Sequence, residues 1–258
     1  MIIIVCVKQT VDMQQVRIRK ETRAPVLENI PLTLSNFDKN ALEEAVRLKE
    51  KAGAKVIALS VGPDTLGETI KEALAMGADE AFLVTSSELN GAESPVVATV
   101  LARAIQQVEG CDLILLGEGS ADNYSGQVGP RAAELLALPQ ITYVKSMEVN
   151  GRTLKAVRSL EDSFEEVEVE LPALVTVVSE INDPRIPSVT QILRAGKKPK
   201  KTLKPADLKL NIKELGRSLE TLSNLAPVQE RKGVLFKEGL KEIPSLVKAL
   251  EEEGLVGR

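Results

Sequence analysis

The sequence predicts an α/β fold: a mostly parallel, Rossmann-like sheet with helices on both faces, a β-hairpin region and an extended C-terminal arm. Short apolar runs rich in β-branched residues alternate with helix-period segments as far as residue 144. An Asn-Gly pair then separates two runs of alternating polarity, and beyond residue 202 the apolar density falls while the charge rises. Because strands that alternate with helices are joined by right-handed crossovers, the first pattern indicates a parallel sheet.

Four continuous apolar runs are predicted to be strands that are buried on both faces of this sheet. They are Ile2–Val7, Val56–Gly62, Ala81–Thr85 and the run "LILLG" that ends at Gly117. Ligands of such sheets bind beyond the carboxyl ends of the strands. We therefore expect one crevice, lined by the residues just after Val7, by Val61–Pro63 and by Gly117–Pro130.

The helices between these strands are predicted from apolar spacing and from capping residues. The first helix has apolar residues at helical spacing up to Leu48. Thr65 and Glu68 form the capping-box pattern at the start of the second helix. Ser94 and Pro95 supply an N-cap and a first-turn proline for the third helix.

The pattern changes after residue 144, and we divide the chain into an α/β domain, residues 1–200, and an arm, residues 201–258. Asn150-Gly151 predicts a tight hairpin turn. Pro244 opens a short amphipathic helix with too few apolar residues for a core of its own. The basic run Gly196–Lys201 is either a solvated linker or a docking site for an acidic partner surface.

The composition excludes several classes of function. The chain contains no His, which excludes His-based triads and His metal ligands. Cys6 and Cys111 form no CxxC pair and lie beside strand-like runs, so we predict small core residues in a reducing cytoplasm. A net charge of −4 and an aromatic content of 2% do not suit nucleic-acid binding. No apolar run approaches the roughly 18 residues that a membrane span needs, so we predict no membrane span. We also predict no catalytic side chain and no metal site.

The loop "GEGSADNYSGQVGP", from Gly117 to Pro130, carries the strongest site signal. Proline is tolerated only in the first turn of a helix, so Pro130 places the next helix start at about Gly126–Val128. Backbone amides at that position have no intrahelical partner, and together with the helix dipole they form an anion site. Ser125 adds a hydroxyl donor or acts as the N-cap, and Gly126 permits close backbone approach.

Asp122 in this loop would repel a phosphate, so it suits ribose hydroxyls or a cap. The charge pattern therefore favours a nucleotide, with its ribose toward Asp122 and its phosphate toward Ser125–Val128. The alternative is a helix N-terminus that binds only water. The loop is not a Walker A sequence, because Gly-Lys-Ser/Thr is missing, and it is not a dinucleotide fingerprint at the first strand.

Several motifs, in order along nearly the whole chain, resemble the β (small) subunit of electron-transfer flavoproteins. They are "VCVKQTVD", with Gln9 in place of the usual Arg, "NFDKNALEEAVRLKEKAG", with Asn36 in place of Pro, "LSVGP", "EALAMGADEAFLV", "LPALVTV", "NDPRIPSVTQILRAGKKP" and "LVKALEEEG". Each motif is weak by itself, but the ordered set with similar spacing is specific. The resemblance implies a heterodimer with an α subunit that carries a redox FAD.

The resemblance also implies that residues 1–200 bind a nucleotide and that residues 201–258 pack on the α subunit. The family's nucleotide contacts fall on Cys6, Ser35, Asn36, Phe37, Asp38, Val61, Gly117, Asp122, Asn123, Ser125, Gly126, Gln127 and Val128. Val189 and Ile192 fall where the family docks on flavin dehydrogenases, such as acyl-CoA-type enzymes.

The nucleotide depends on the branch of the family. The common form binds structural AMP, whereas in the electron-bifurcating branch a second FAD accepts hydride from NADH. Asp122–Pro130 is similar to the bifurcating pattern Asp-Gly-Asp-Thr-Ala-Gln-Val-Gly-Pro, with Tyr124 in place of an acid, and Ser159 stands where the common form has Glu. The resemblance thus favours FAD, with oxidoreductase activity only in the αβ complex.

Two alternatives to this FAD-binding, bifurcating form stay open at this point. The first is the AMP-binding β subunit that passes electrons from acyl-CoA-type dehydrogenases. The second is a free-standing, ATP-binding stress-type protein, whose loop ends in Gly followed by Ser or Thr. This loop offers only Gly126-Gln127 and Gly129-Pro130 at that position, so the sequence disfavours the second alternative.

Overall fold

The computed structural model describes residues 1–216, 221–228 and 233–256 of the chain. The strands are β1 (Ile2–Cys6), β2 (Gln9–Val11), β3 (Arg17–Ile18), β4 (Pro25–Val26), β5 (Leu32–Leu34), β6 (Lys55–Gly62), β7 (Glu80–Thr85), β8 (Cys111–Gly117), β9 (Gln140–Asn150), β10 (Thr153–Ser159), β11 (Phe164–Glu170), β12 (Ala173–Val177) and β13 (Lys200–Leu203). The α-helices are α1 (Asn36–Ala52), α2 (Leu66–Met76), α3 (Ser94–Ile105), α4 (Val128–Leu136), α5 (Val189–Ala195), α6 (Ile212–Leu215) and α7 (Ile243–Glu252).

Within the described residues, nine strands form one sheet in the order β11-β10-β9-β12-β8-β1-β6-β7-β13. Strand β10 runs antiparallel to both of its neighbours, and every other neighbouring pair is parallel. The short pairs β2–β5 and β3–β4 form two separate antiparallel ladders. The predicted α/β fold with a mostly parallel sheet is therefore confirmed.

Both faces of the sheet are covered by helices, as predicted. Side chains alternate along β1, so Ile3 and Val5 pack with the apolar faces of α1 and α2. Ile4 and Cys6 point to the other face and pack with α3 and α4. Because β1 lies between β8 and β6 near the middle of the sheet, its apolar run is buried on both sides.

Two predicted helix caps are wrong, because their hydroxyls have other partners. Thr65 Oγ1 donates to Gln9 Oε1 at 2.9 Å and makes no side-chain cap for α2. Ser94 is the first residue of α3 rather than its N-cap, which is Glu93, and Ser94 Oγ lies 3.0 Å from Ser125 Oγ. The proline at the start of α3 does lie in the first turn.

The hairpin prediction is confirmed, since β9 and β10 are joined at Gly151, whose φ is +62°.

The linker interpretation of the basic run is wrong. Lys200 and Lys201 belong to the edge strand β13, which pairs with β7. Lys198 Nζ donates to the carbonyls of Leu74 and Ala78 at the end of α2. A lysine that donates to free carbonyls at a helix end holds the chain in place at that end. The basic run is therefore fixed at the end of α2 and completes the sheet through β13.

The last helix, α7, begins at Ile243 with a proline in its first turn, as predicted. None of its residues is buried against the rest of the chain. The division into residues 1–200 and 201–258 stays a prediction.

Of the helices that the structure describes, none is both long enough and apolar enough to cross a bilayer.

Candidate functional site

The three predicted strand ends lie side by side, because β8, β1 and β6 are consecutive in the sheet. Val61 therefore lies at the same edge as Gly117 and as the residues that follow Cys6. Cys6 itself is only 4% exposed, and burial raises the pKa of its thiol well above the ordinary value. The thiol lies beneath the site as a packing group, and the predicted contact of Cys6 with a nucleotide stays a prediction.

The Asp38 carboxylate joins the start of α1 to the ends of two strands. Its Oδ2 accepts the Lys8 N–H at 2.8 Å, and its Oδ1 accepts the Gly117 N–H at 3.0 Å. Burial raises the pKa of Asp38 to about 7, against the opposing effect of these two amide donors. The carboxyl group thus fixes the floor of the site.

The first turn of α1 packs directly on the end of β8. A Cβ atom on Gly117 would lie 2.4 Å from the Cβ of Phe37, so only glycine permits this approach. The Phe37 ring contacts the Tyr124 ring edge-on, with the centroids 5.4 Å apart. Asn36 is exposed beside them. Phe37 and Tyr124 therefore form an aromatic wall between α1 and the loop.

The hydroxyl of Ser35, the residue before α1, is buried and has no hydrogen-bond partner among the described residues. An unpaired buried hydroxyl costs about 1–3 kcal/mol, so a polar ligand or a water that reached it would stabilise this corner. Ser35 is also held by its backbone, since its N–H donates to the Lys8 carbonyl at 3.0 Å.

An ion pair fixes the loop to the end of β1. Lys8 Nζ lies 2.6 and 2.8 Å from the two carboxylate oxygens of Asp122, which also accepts from Ser120 Oγ and from the Asn123 N–H. Burial raises the pKa of Asp122, but the bonds from Lys8 and Ser120 outweigh it and hold the pKa below its ordinary value. Asp122 is thus neutralised within the chain, and its predicted contact with a ribose stays a prediction.

The loop ends in a helix start with free amides. Helix α4 begins at Val128, as predicted from the proline, and its N-cap is Gln127 rather than Ser125. The Gln127 side chain accepts from Arg131 and does not cap the helix. Among the described residues, no acceptor pairs with the N–H groups of 127–129. These amides point out of the helix start and can bind an anion.

A second helix start lies beside the first. The Ser94 and Ser125 hydroxyl oxygens are 3.0 Å apart, which joins the first residue of α3 to the loop before α4. Each helix start carries a partial positive charge, although Pro95 in the first turn of α3 has no N–H to donate. The edge therefore offers donors for two neighbouring anionic groups.

Sequence reasoning missed Ser94, and it placed Lys8 and Ser120 in the expected crevice without naming either as a site residue. The strand-end rule had already included the position of Lys8, directly after β1. The same rule applied to the end of β7 would have pointed to Ser94. Ser120 has no signal of its own, because its role depends on the ion pair that its neighbour forms.

The segment predicted to dock on partner enzymes lies on α5, which packs against α2. Val189 is 74% exposed and Ile192 is 56% exposed, and Ile186 and Leu193 are exposed beside them. We call these four residues the α5 surface. Arg185, just before it, forms ion pairs with Glu43 and Glu50 of α1. An exposed aliphatic cluster on a well-anchored helix suits protein contact.

The residues at the strand edge fit a nucleotide. The N–H groups at 127–129 can donate to a phosphate, and so can whichever of the Ser94 and Ser125 hydroxyls does not donate to the other. Asp122 is already paired with Lys8, which reduces its repulsion of an anion. A Cβ atom on Gly126 would project into the space between the Glu118 carbonyl and Tyr143. Glycine keeps that space open for a ligand.

Comparison with known proteins gives one consistent family. Residues 26–208 match the electron transfer flavoprotein domain. The electron transfer flavoprotein subunit beta of Thermoanaerobacterium thermosaccharolyticum is 39% identical over 98% of this chain and 99% of its own length. The protein of the same name from Clostridium acetobutylicum is 38% identical, over 97% and 98% respectively. The caffeyl-CoA reductase-Etf complex subunit CarD of Acetobacterium woodii is 39% identical over 76% of each chain. The chain therefore belongs to the electron transfer flavoprotein family, among its β subunits.

Proposed function

We propose that this β subunit binds FAD at the carboxyl edge of its sheet and works in an electron-bifurcating αβ complex, with NADH as the electron donor. The observation that carries the FAD assignment is the 3.0 Å contact between the Ser94 and Ser125 hydroxyls. It brings two helix starts together, so the edge has donors for two phosphates. FAD has a pyrophosphate, whereas AMP has one phosphate.

The donors divide between the two phosphates. One phosphate would accept from the free amides at the start of α4 and from Ser125, and the other from Ser94 and the start of α3. Phe37 and Tyr124 offer aromatic edges beside this position. FAD supplies the electron chemistry when it is bound, and these residues hold and orient it.

The partner assignments rest on the family and on the α5 surface. We infer that the chain pairs with an α subunit and that the α5 surface docks on a flavin dehydrogenase of the acyl-CoA type. The relative CarD is named as a subunit of a caffeyl-CoA reductase complex, which supports a partner that acts on a CoA thioester. The two exposed aliphatic side chains Val189 and Ile192 supply the apolar contact.

The AMP form is the second candidate, because the start of α4 alone suffices for a single phosphate. Two matched serine substitutions separate the candidates in the αβ complex stripped of its β nucleotide. Ser94→Ala removes a donor to the second phosphate, so we expect about tenfold weaker FAD binding and unchanged AMP binding. Ser125→Ala removes a donor to the shared phosphate and should weaken both. Equal FAD affinity in Ser94→Ala and in the unsubstituted complex contradicts the two-phosphate arrangement.

A further inference from the structure

Strand β9 contains a bulge at the edge of the site. Val175 pairs with Ile141, and Val177 pairs with Val144, so two residues of β9 lie opposite the single residue between the two valines of β12. One of these two residues is Tyr143, whose φ of +58° is left-handed. A bulge re-aims a side chain out of the regular alternation. Here Ile141 and Val144 are both buried, while Tyr143 is turned outward and is 39% exposed.

The bulge places the Tyr143 hydroxyl over the loop Gly117–Pro130. Its oxygen lies 3.8 Å from the position that a Cβ atom on Gly126 would take. The Tyr143 N–H donates to Thr176 Oγ1 at 3.3 Å. The methyl group of Thr176 fills the space beside Gly129, where a Cβ atom would lie 2.5 Å from it. Thr176 therefore holds the bulge and the first turn of α4 in one fixed arrangement.

The chain has two tyrosines, and their hydroxyls differ in one respect. The Tyr124 hydroxyl donates to the Glu118 carboxylate, and burial together with this bond raises the pKa of Tyr124. The Tyr143 hydroxyl has no hydrogen-bond partner within residues 1–216 or the other described segments. Tyr143 is exposed, and its hydroxyl lies beside Gly126, next to the free amides at the start of α4.

We propose that Tyr143 is a further nucleotide-binding residue, whose hydroxyl donates a hydrogen bond to the phosphate held at the start of α4. A phosphate oxygen that accepts from the amides of residues 127–129 would lie about 2.9 Å from their nitrogens, within reach of a donor above Gly126. This inference rests on the proposed nucleotide site. It adds a donor from β9, which sequence reasoning did not consider, and it gives the left-handed bulge a function.

The test compares two variants that each lose one hydroxyl group. The full chain is purified with its α subunit, the β nucleotide is removed, and FAD and AMP are titrated separately. Tyr143→Phe loses a hydrogen bond to a charged phosphate, so we expect it to bind both nucleotides about tenfold more weakly. Thr202→Val removes an exposed hydroxyl from the edge strand β13, far from β9 in the sheet, and should bind them with unchanged affinity. Tyr143→Asn also tolerates a left-handed backbone and should bind at least as weakly as Tyr143→Phe.

The outcomes distinguish this inference from the proposed function. Unchanged binding of FAD and AMP in Tyr143→Phe, with normal binding by the unsubstituted complex, overturns the role of Tyr143 and leaves the site intact. An equal loss in Thr202→Val also overturns it, because the effect would then not depend on a hydroxyl at the site. Absence of binding by the unsubstituted complex overturns the nucleotide site itself.

Discussion

Asp38 is the residue on which the geometry of the site depends most. Its carboxylate accepts the N–H groups of Lys8 and Gly117, so one side chain holds the ends of β1 and β8 against α1. The charged groups nearest to it are Lys8 and Asp122, which neutralise each other in an ion pair. Burial is thus the dominant influence on the pKa of Asp38, and it acts to keep the proton on.

We predict that Asp38 titrates near neutral pH and that this titration lowers the stability of the fold as the pH rises. The pKa is about 7 in the folded chain and about 3.9 in an unfolded chain. The folded state therefore holds the proton more tightly, and the contribution is complete below about pH 4 and is lost as the pH rises through 7. The slope is at most about 1.4 kcal/mol per pH unit.

The measurement follows the amide NMR shifts of Lys8 and Gly117, together with the free energy of unfolding, between pH 4 and 8. Both amide shifts should titrate with a midpoint near 7. In Asp38→Asn the corresponding pH dependence of the unfolding free energy should disappear. A midpoint near 4 would show that the strand-end amides outweigh burial.

A substitution at Gly126 tests the loop Gly117–Pro130 separately from the rest of the site. The φ of Gly126 is +64°, and Gly151 in the distant β9–β10 turn has a φ of +62°, so Val in either position suffers the same left-handed strain of about 1–2 kcal/mol. We predict that Gly126→Val loses most of its bound nucleotide, because the new side chain enters the ligand space. Gly151→Val should lose similar stability and keep its nucleotide. The check is nucleotide content after gel filtration, and equal content in both variants would contradict a cradle at this loop.

Helix α1 connects the site to the α5 surface. Its first turn carries Asp38, and later turns carry Glu43 and Glu50, which hold Arg185 through paired hydrogen bonds of 2.6 to 3.1 Å. Burial raises the pKa of Glu43, but the bonds from Arg185 outweigh it and lower the pKa below its ordinary value. Asn40 adds bonds to the carbonyls of residues 179 and 182. One helix thus fixes both functional regions relative to each other.

We predict that Arg185→Ala loosens the α5 surface and leaves the nucleotide in place. Losing several charge-assisted bonds, worth about 1.5–3 kcal/mol, should speed amide hydrogen exchange across residues 183–195 by about tenfold or more. Arg47→Ala is the matched control, because Arg47 also pairs with Glu43 but lies on α1 itself. Unchanged exchange in Arg185→Ala, or the same increase in Arg47→Ala, would contradict this role.

The regular elements could be predicted because their signals are local. Continuous apolar runs predicted β1, β6, β7 and β8. The proline rule predicted the start of α4 at about Gly126–Val128, and the helix begins at Val128. Caps were less predictable, because Thr65 and Ser94 each have a competing partner far away in the sequence. The bulge at Tyr143 was not predictable at all. It arises from the pairing of β9 with β12, and no pattern within β9 encodes it.

At the scale of the whole molecule, α7 is a helix of the described residues that has no residue buried against the rest of the chain. Ile243, Leu246 and Val247 lie at helical spacing and are each more than a third exposed. Such an amphipathic helix is marginal by itself in water. Membership of a family that has α and β subunits makes the α subunit the expected cover for this face.

We predict that Leu246→Glu weakens assembly with the α subunit by about tenfold or more, because it puts a charge into an apolar contact. Lys248→Glu, on the same helix at an exposed position, is the control and should assemble normally. Neither change should alter the melting temperature of the isolated β chain. Assembly of Leu246→Glu with unchanged affinity, measured by analytical ultracentrifugation, would show that α7 lies outside the interface.

We propose that FAD is bound at the sheet edge of the β subunit. The most direct measurement is to purify the chain with its α subunit, extract the non-covalent nucleotides and count them per heterodimer by chromatography. The start of α3 at Ser94, joined through Ser125 to the loop before α4, predicts two FAD and no AMP. One FAD and one AMP per heterodimer would contradict the claim.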